Sequence, residues 1–143
     1  MTPAEALQLL KDGNARFVAD KPLRRDLAAQ VKATSNGQYP YAVVLGCVDS
    51  RVPPELIFDT GIGDIFSTRT AGNVLDDAIL GGLEFAAKVS GARLIVVLGH
   101  TQCGAVKGAC DAVELGHLTD TLALLRPALE ASQSVPPPHE SKV

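Results

Sequence analysis

The segment GCVDSRVPPE, residues 46–55, places a thiol (Cys47), a carboxylate (Asp49) and a guanidinium (Arg51) almost side by side. A second segment, GHTQCGAV, residues 99–106, adds an imidazole and another thiol, His100 and Cys103. Two thiolates and one imidazole are sulfur and nitrogen donors of the kind zinc takes in tetrahedral sites. His100-x-x-Cys103 alone is a pattern that chance produces; Cys47, at the end of a separate apolar run, turns it into a candidate metal site. Asp49 then has two conceivable states. It closes the site as a fourth ligand, or Arg51 holds it aside in an oriented ion pair and leaves a position open for water. Catalytic zinc requires the open form. Two thiolates and a neutral histidine cancel the zinc charge, so the metal is a weaker Lewis acid than one held by three histidines. Water there loses its proton above the roughly pH 7 of tris-histidine sites, and activity is expected to rise towards alkaline pH.

These side chains need elements to position them. YAVVLG, residues 41–46, is a buried-looking strand that ends at Cys47, and RLIVVLG, residues 93–99, is another that ends at His100. Between them, ELIFDTGIGDIFSTRTAGN reads as a short helix or turn, a glycine-rich loop and a strand near 64–68. VLDDAILGGLEFAAKVSG follows as a helix stopped by Gly91. Apolar strands joined by a crossover helix predict a parallel sheet flanked by helices and covered on both faces. In such sheets ligand sites lie beyond the carboxyl ends of the strands, so neighbouring strands would bring Cys47, His100 and Cys103 together. The N-terminus predicts a helical arm over about residues 2–20, with Thr2 as N-cap, Pro3 at the first helical position and Glu5 near the start. Asn36-Gly37 marks a turn. GAVKGACDAVELG and LTDTLALLRPALEAS predict two further helices, and the proline-rich tail, about 132–143, an exposed end.

The chain is expected to be a single domain over residues 1–143, since its length suits one core. With 46% hydrophobic and 20% charged residues it is globular in composition. A net charge of −3 gives no basic face for nucleic acid, and no apolar run is long enough to span a membrane. The amphipathic, charged N-terminus is unlike a signal peptide. Three widely spaced cysteines suggest no disulfide framework, and a reducing, cytoplasmic setting is expected. Cys110 is expected to face the core, His117 to be exposed, and His139 to have no role. Gly61-x-Gly63 lacks the context of a dinucleotide loop and reads as a turn. Gly81-Gly82 within a helix costs roughly 1 kcal/mol per glycine relative to alanine, which implies close packing against the sheet or a second subunit.

Taken together, CVDSRVPPE, RTAGNV and GHTQCGAV resemble the β-class carbonic anhydrases, zinc enzymes that interconvert carbon dioxide and bicarbonate. The resemblance runs from the N-terminal helix to about residue 130. It implies one zinc ion per chain on Cys47, His100 and Cys103, with Asp49 and Arg51 as a catalytic dyad beside it. It further implies that Gln38 hydrogen-bonds substrate, that Phe66 lines the carbon dioxide pocket, and that the Gly104 backbone N–H faces substrate. In the family the glutamine and the aromatic side chain come from a second subunit, so a homodimer or larger assembly is implied. Val44 stands where some members carry a tryptophan used in bicarbonate regulation, and that regulation is not expected here. Family members usually continue past this end with a further strand and helices. The fold expected is therefore a β-carbonic-anhydrase-like α/β domain lacking those elements, with an open sheet edge. Two other readings keep the same residues: a zinc hydrolase of carbon disulfide or carbonyl sulfide, and a truncated, non-catalytic zinc protein that Asp49 closes permanently.

Overall fold

The computed structural model describes residues 1–133. They fall into two compact units, Met1–Thr101 and the residues from Gln102 onward, each described by itself.

The first unit opens with α1 (Pro3–Val18). Its start is fixed by a capping box: the Thr2 hydroxyl accepts from the Glu5 N–H at 3.2 Å, and the Glu5 carboxylate accepts from the Thr2 N–H at 2.6 Å. Ala6, Leu10 and Gly13 form its buried stripe. Glycine is needed at 13, because an added Cβ would lie 1.8 Å from the Phe58 carbonyl oxygen. A short helix not foreseen in the sequence, α2 (Leu27–Ala33), is N-capped by Asp26, which accepts from the Ala29 N–H. Gln30 on this helix accepts from the Ile62 N–H at 3.0 Å and so ties it to the Gly61–Gly63 turn. Gly63 there has φ +90°, in keeping with a turn.

Three parallel strands follow, β1 (Ala42–Cys47), β2 (Ile65–Thr70) and β3 (Leu94–Leu98), in the order β2-β1-β3. All six residues of β1 are buried, as expected of a central apolar strand. On β3, Ile95 and Val97 are exposed. Coverage of both faces, expected from the apolar strands and their crossover helix, therefore holds for β1 and fails on β3. The helix α3 (Pro54–Ile57) follows Pro53, with Pro54 at its first position, where a missing N–H costs nothing. Between β2 and β3 runs α4 (Asp77–Glu84), capped by Asp76 and continued by a π-helical turn at Phe85–Val89. Gly91, at φ +77°, ends it as expected. The core beneath joins Val43, Leu83, Ala86 and Ala92, with Phe66 and Ile79 packed against it. The expectation that Gly81 and Gly82 pack closely on the sheet is not met: a Cβ at either position would meet nothing within 4 Å.

The second unit contains α5 (Gly104–Cys110), α6 (Gly116–Ala123) and α7 (Arg126–Ser132). The single helix expected over 118–132 is two. Pro127 sits in the first turn of α7, where it is tolerated, whereas deeper in a continuous helix it would remove a backbone bond. Leu122 and Leu125 are buried, and a Cβ at Gly108 would touch Leu122 at 3.4 Å. Cys110 is exposed instead of facing the core, and His117 is exposed as expected. His139 and nearly all of the proline-rich tail lie outside the described residues. Among the described residues no helix is long and apolar enough to cross a membrane.

Candidate metal centre

Parallel pairing sets the register. Gly46 of β1 lies opposite Arg69 of β2 and Leu98 of β3. Cys47 therefore closes the central strand just where β3 delivers the chain to His100, and both residues lie off the carboxyl edge of the sheet. Cys47 is buried, and the Gly72 N–H donates to its sulfur at 3.4 Å.

His100 carries the most informative atom of the site. Its Nδ1 lies 2.8 Å from the Thr101 carbonyl oxygen. A carbonyl can only accept, so Nδ1 bears the hydrogen and Nε2 presents its lone pair. Nε2 is buried and makes no hydrogen bond of ordinary geometry. The Cys47 sulfur nearby pushes the His100 pKa up, burial pushes it down, and the Thr101 carbonyl and the charge of Asp49 also favour the protonated ring. A buried imidazole nitrogen without a partner is costly. It is the atom a metal ion would satisfy, and an Nδ1–H held by a carbonyl is the usual support of a histidine ligand.

Asp49 and Arg51 form the ion pair expected. Arg51 Nε donates to Asp49 Oδ1 at 2.9 Å and Nη2 donates to Oδ2 at 2.7 Å, a two-pronged contact. The Arg51 backbone N–H adds a third bond to Oδ1, also at 2.9 Å. These bonds, those of the guanidinium first, hold the Asp49 carboxyl well below the usual carboxylate range. Asp49 Oδ2 is 3.9 Å from His100 Nε2. Arg51 is largely exposed, at 64% of its side chain, against 15% for Asp49.

Gln38 is exposed in the segment before β1. Phe66 pairs in register with Val43 and sits edge-on to Phe85, ring centres 6.1 Å apart. It shares a face with Cys47 but lies four residues down the sheet, about 13 Å away at the rise of a strand. In its own chain it is a core residue. Cys103 caps the N-terminus of α5, three residues beyond His100, and Gly104 is the first residue of that helix. A Cβ at Gly104 would meet nothing within 4 Å.

Sequence reasoning gave no role to the residues that hold this edge in place. Asn73 Nδ2 donates to the Leu98 carbonyl at 2.7 Å and so ties the Ala71–Asn73 turn to the end of β3. Gly72 and Asn73 reach this geometry at φ +72° and +58°, the region glycine and asparagine tolerate best. Arg69 binds the carbonyls of Cys47 and Asp49. The signal available was the compact string RTAGN directly after a strand.

Known proteins place the chain in a family. The sequence profile of the carbonic anhydrase family matches residues 42–142. A carbonic anhydrase of Mycolicibacterium smegmatis is 50% identical over 117 residues, which cover 81% of this chain and 57% of that protein. A solved β-carbonic anhydrase of Aspergillus fumigatus is 30% identical with a TM-score of 0.68, over 91% of this chain and 61% of the other. A tetrameric β-carbonic anhydrase of Sordaria macrospora is 28% identical with a TM-score of 0.64, over 74% of this chain and 60% of the other. The chain belongs to the β-class carbonic anhydrase family. It spans less than two thirds of the length of these relatives.

Proposed function

We propose that this chain is a zinc-dependent carbonic anhydrase that hydrates carbon dioxide reversibly to bicarbonate and a proton, with Cys47, His100 and Cys103 holding one zinc ion. The observation that carries the reading is the buried, unpartnered Nε2 of His100, whose tautomer is fixed by Thr101 and which has the Cys47 sulfur nearby. Cys103, three residues further on, is close along the chain, since three residues span at most about 11 Å. The donor set of two sulfurs and one nitrogen suits zinc. Bound zinc supplies Lewis acidity, which lowers the pKa of a water molecule and makes it a nucleophile.

The chain's own groups do the rest. Asp49 accepts a hydrogen bond from the attacking water and orients it towards substrate. Arg51 engages both Asp49 oxygens, which supports the arrangement in which the carboxylate is held aside from the metal position. The Gly104 N–H and the side chains of Gln38 and Phe66 are the proposed substrate contacts. Own-chain Phe66 lies about 13 Å from Cys47; the family resemblance implies that Gln38 and Phe66 act from a second copy of the chain. The tetrameric relative supports such an assembly, and so do the exposed apolar residues Leu7, Phe17, Val18, Leu23 and Leu27 at the N-terminal end. Thiol ligands fit a reducing, cytoplasmic setting. The relative matched over most of this chain favours carbon dioxide over carbon disulfide or carbonyl sulfide as substrate.

Stopped-flow carbon dioxide hydration by the zinc-loaded chain at pH 8.5 tests the proposal. A rate well above buffer that a chelator abolishes supports it. No rate from a folded protein holding one zinc per chain would overturn it in favour of a non-catalytic zinc site.

A further inference from the structure

Cys47 and Asp49 hang from one short turn. Cys47 ends β1, Asp49 lies two residues on, and the chain reverses through the Val52 N–H, which donates to the Asp49 carbonyl at 3.2 Å. Arg69, the penultimate residue of β2, lies opposite Gly46. The Arg69 side chain passes over Gly46, where an added Cβ would stand 3.8 Å from its Cγ, an ordinary contact. The guanidinium thus arrives over the turn instead of pointing away. Its Nε donates to the Cys47 carbonyl at 2.6 Å and its Nη2 to the Asp49 carbonyl at 2.5 Å. One planar, half-buried cation therefore grips two carbonyls, two residues apart, on the backbone that carries a proposed ligand and the proposed water-orienting carboxylate.

We infer that Arg69 is a positioning residue: by clamping the carbonyls of Cys47 and Asp49 it fixes the turn so that Asp49 reaches its working place beside the metal site. The inference rests on the proposed hydration activity only for its kinetic consequence. The clamp needs a fork. A guanidinium offers two parallel N–H groups at fixed spacing, whereas lysine offers a point charge on a flexible stem. Hydrogen bonds from a charged donor are stronger than neutral ones, so release of the turn should be readable as about a tenfold change or more in local opening.

The test uses the full zinc-loaded chain with Arg69→Ala and Arg69→Lys, read in two ways. Hydrogen exchange of the Val48 and Arg51 amides should quicken about tenfold in both variants, with one zinc per chain retained and exchange in α4 unchanged. In kinetics, Arg69→Ala should lower kcat in the native background and lower it little further in an Asp49→Ala background, the non-additivity expected when one residue acts through another. Unchanged exchange at residues 48–51, or equal losses of kcat in the two backgrounds, would overturn the inference. If Arg69→Ala fails to fold, Arg69→Lys decides by the same readouts. If the native chain shows no hydration, the exchange result still decides the clamp, and the failed reading is then the activity alone.

Discussion

Asp49 has both carboxylate oxygens engaged by Arg51, and this single contact decides what kind of group it is. A carboxyl held well below its usual range stays ionised throughout neutral and alkaline pH. It can accept a hydrogen bond there but cannot act as the titrating group. The rise in rate expected between pH 6 and 9 would then belong to another group, as it would if a metal ion held on Cys47, His100 and Cys103 supplied the acidity that activates a water molecule. Asp49→Ala should lower kcat by about 100-fold, keep one zinc per chain, and leave the midpoint of the pH–rate profile in place; kinetics alongside metal analysis check this. Loss of the metal with the substitution would instead mark Asp49 as a ligand. At this scale much was legible in the sequence, because donors at strand ends are chemically conspicuous. Arg69 and Asn73 were not, since their work is done on backbone carbonyls of residues far away in the chain, and spacing carries no record of that.

Among the elements, the N-terminal arm shows how a charged cluster holds segments together. Asp59 is buried beside α3 and takes Arg16 Nε and Arg25 Nη1 at 2.5 Å each, together with the Leu23 N–H at 3.2 Å. Burial would raise its pKa, but the two guanidinium groups and the backbone N–H outweigh it and hold the group at about 2. A depressed folded-state pKa contributes stability that is fully present above the unfolded value near 3.9 and is lost as pH falls towards 2. Asp59→Asn should therefore destabilise the chain at pH 6 and much less at pH 2, a narrowing that urea unfolding at the two pH values would show. Gly13→Ala should cost about 3 kcal/mol, since the new methyl meets a backbone carbonyl instead of a yielding side chain; thermal unfolding measures it. Strands and capped helices were legible because apolar runs and N-cap residues are local signals. The short α2 was missed for want of an apolar stripe, and the break between α6 and α7 because leucines on either side kept the helical period running. Ile95 and Val97 show why coverage of β3 was not legible: the same apolar run suits a buried strand and a half-open one.

For the molecule as a whole, exposed apolar side chains and two unfilled glycines point outward. Alanine at Gly81 and Gly82 would meet nothing within the chain. In a lone copy each substitution should stabilise α4 by roughly 0.5–1 kcal/mol. If a second copy packs on that face, the added methyl groups should push the assembly apart. Sedimentation of Gly81→Ala together with thermal unfolding separates the outcomes: a raised unfolding temperature with unchanged mass means that the face is free. Cys47 and His100 stand about fifty residues apart in the chain and meet only through the β1–β3 pairing. Long-range parallel pairing is a late and slow event, so the donor set does not exist while the chain is still searching. A zinc ion taken up by that donor set would lock a finished frame instead of templating the fold. The ion should leave the refolding rate unchanged and slow unfolding, the pattern of an interaction absent from the folding transition state, and stopped-flow refolding with and without zinc would show it. A newly made chain would thus be shaped first and charged with its metal afterwards.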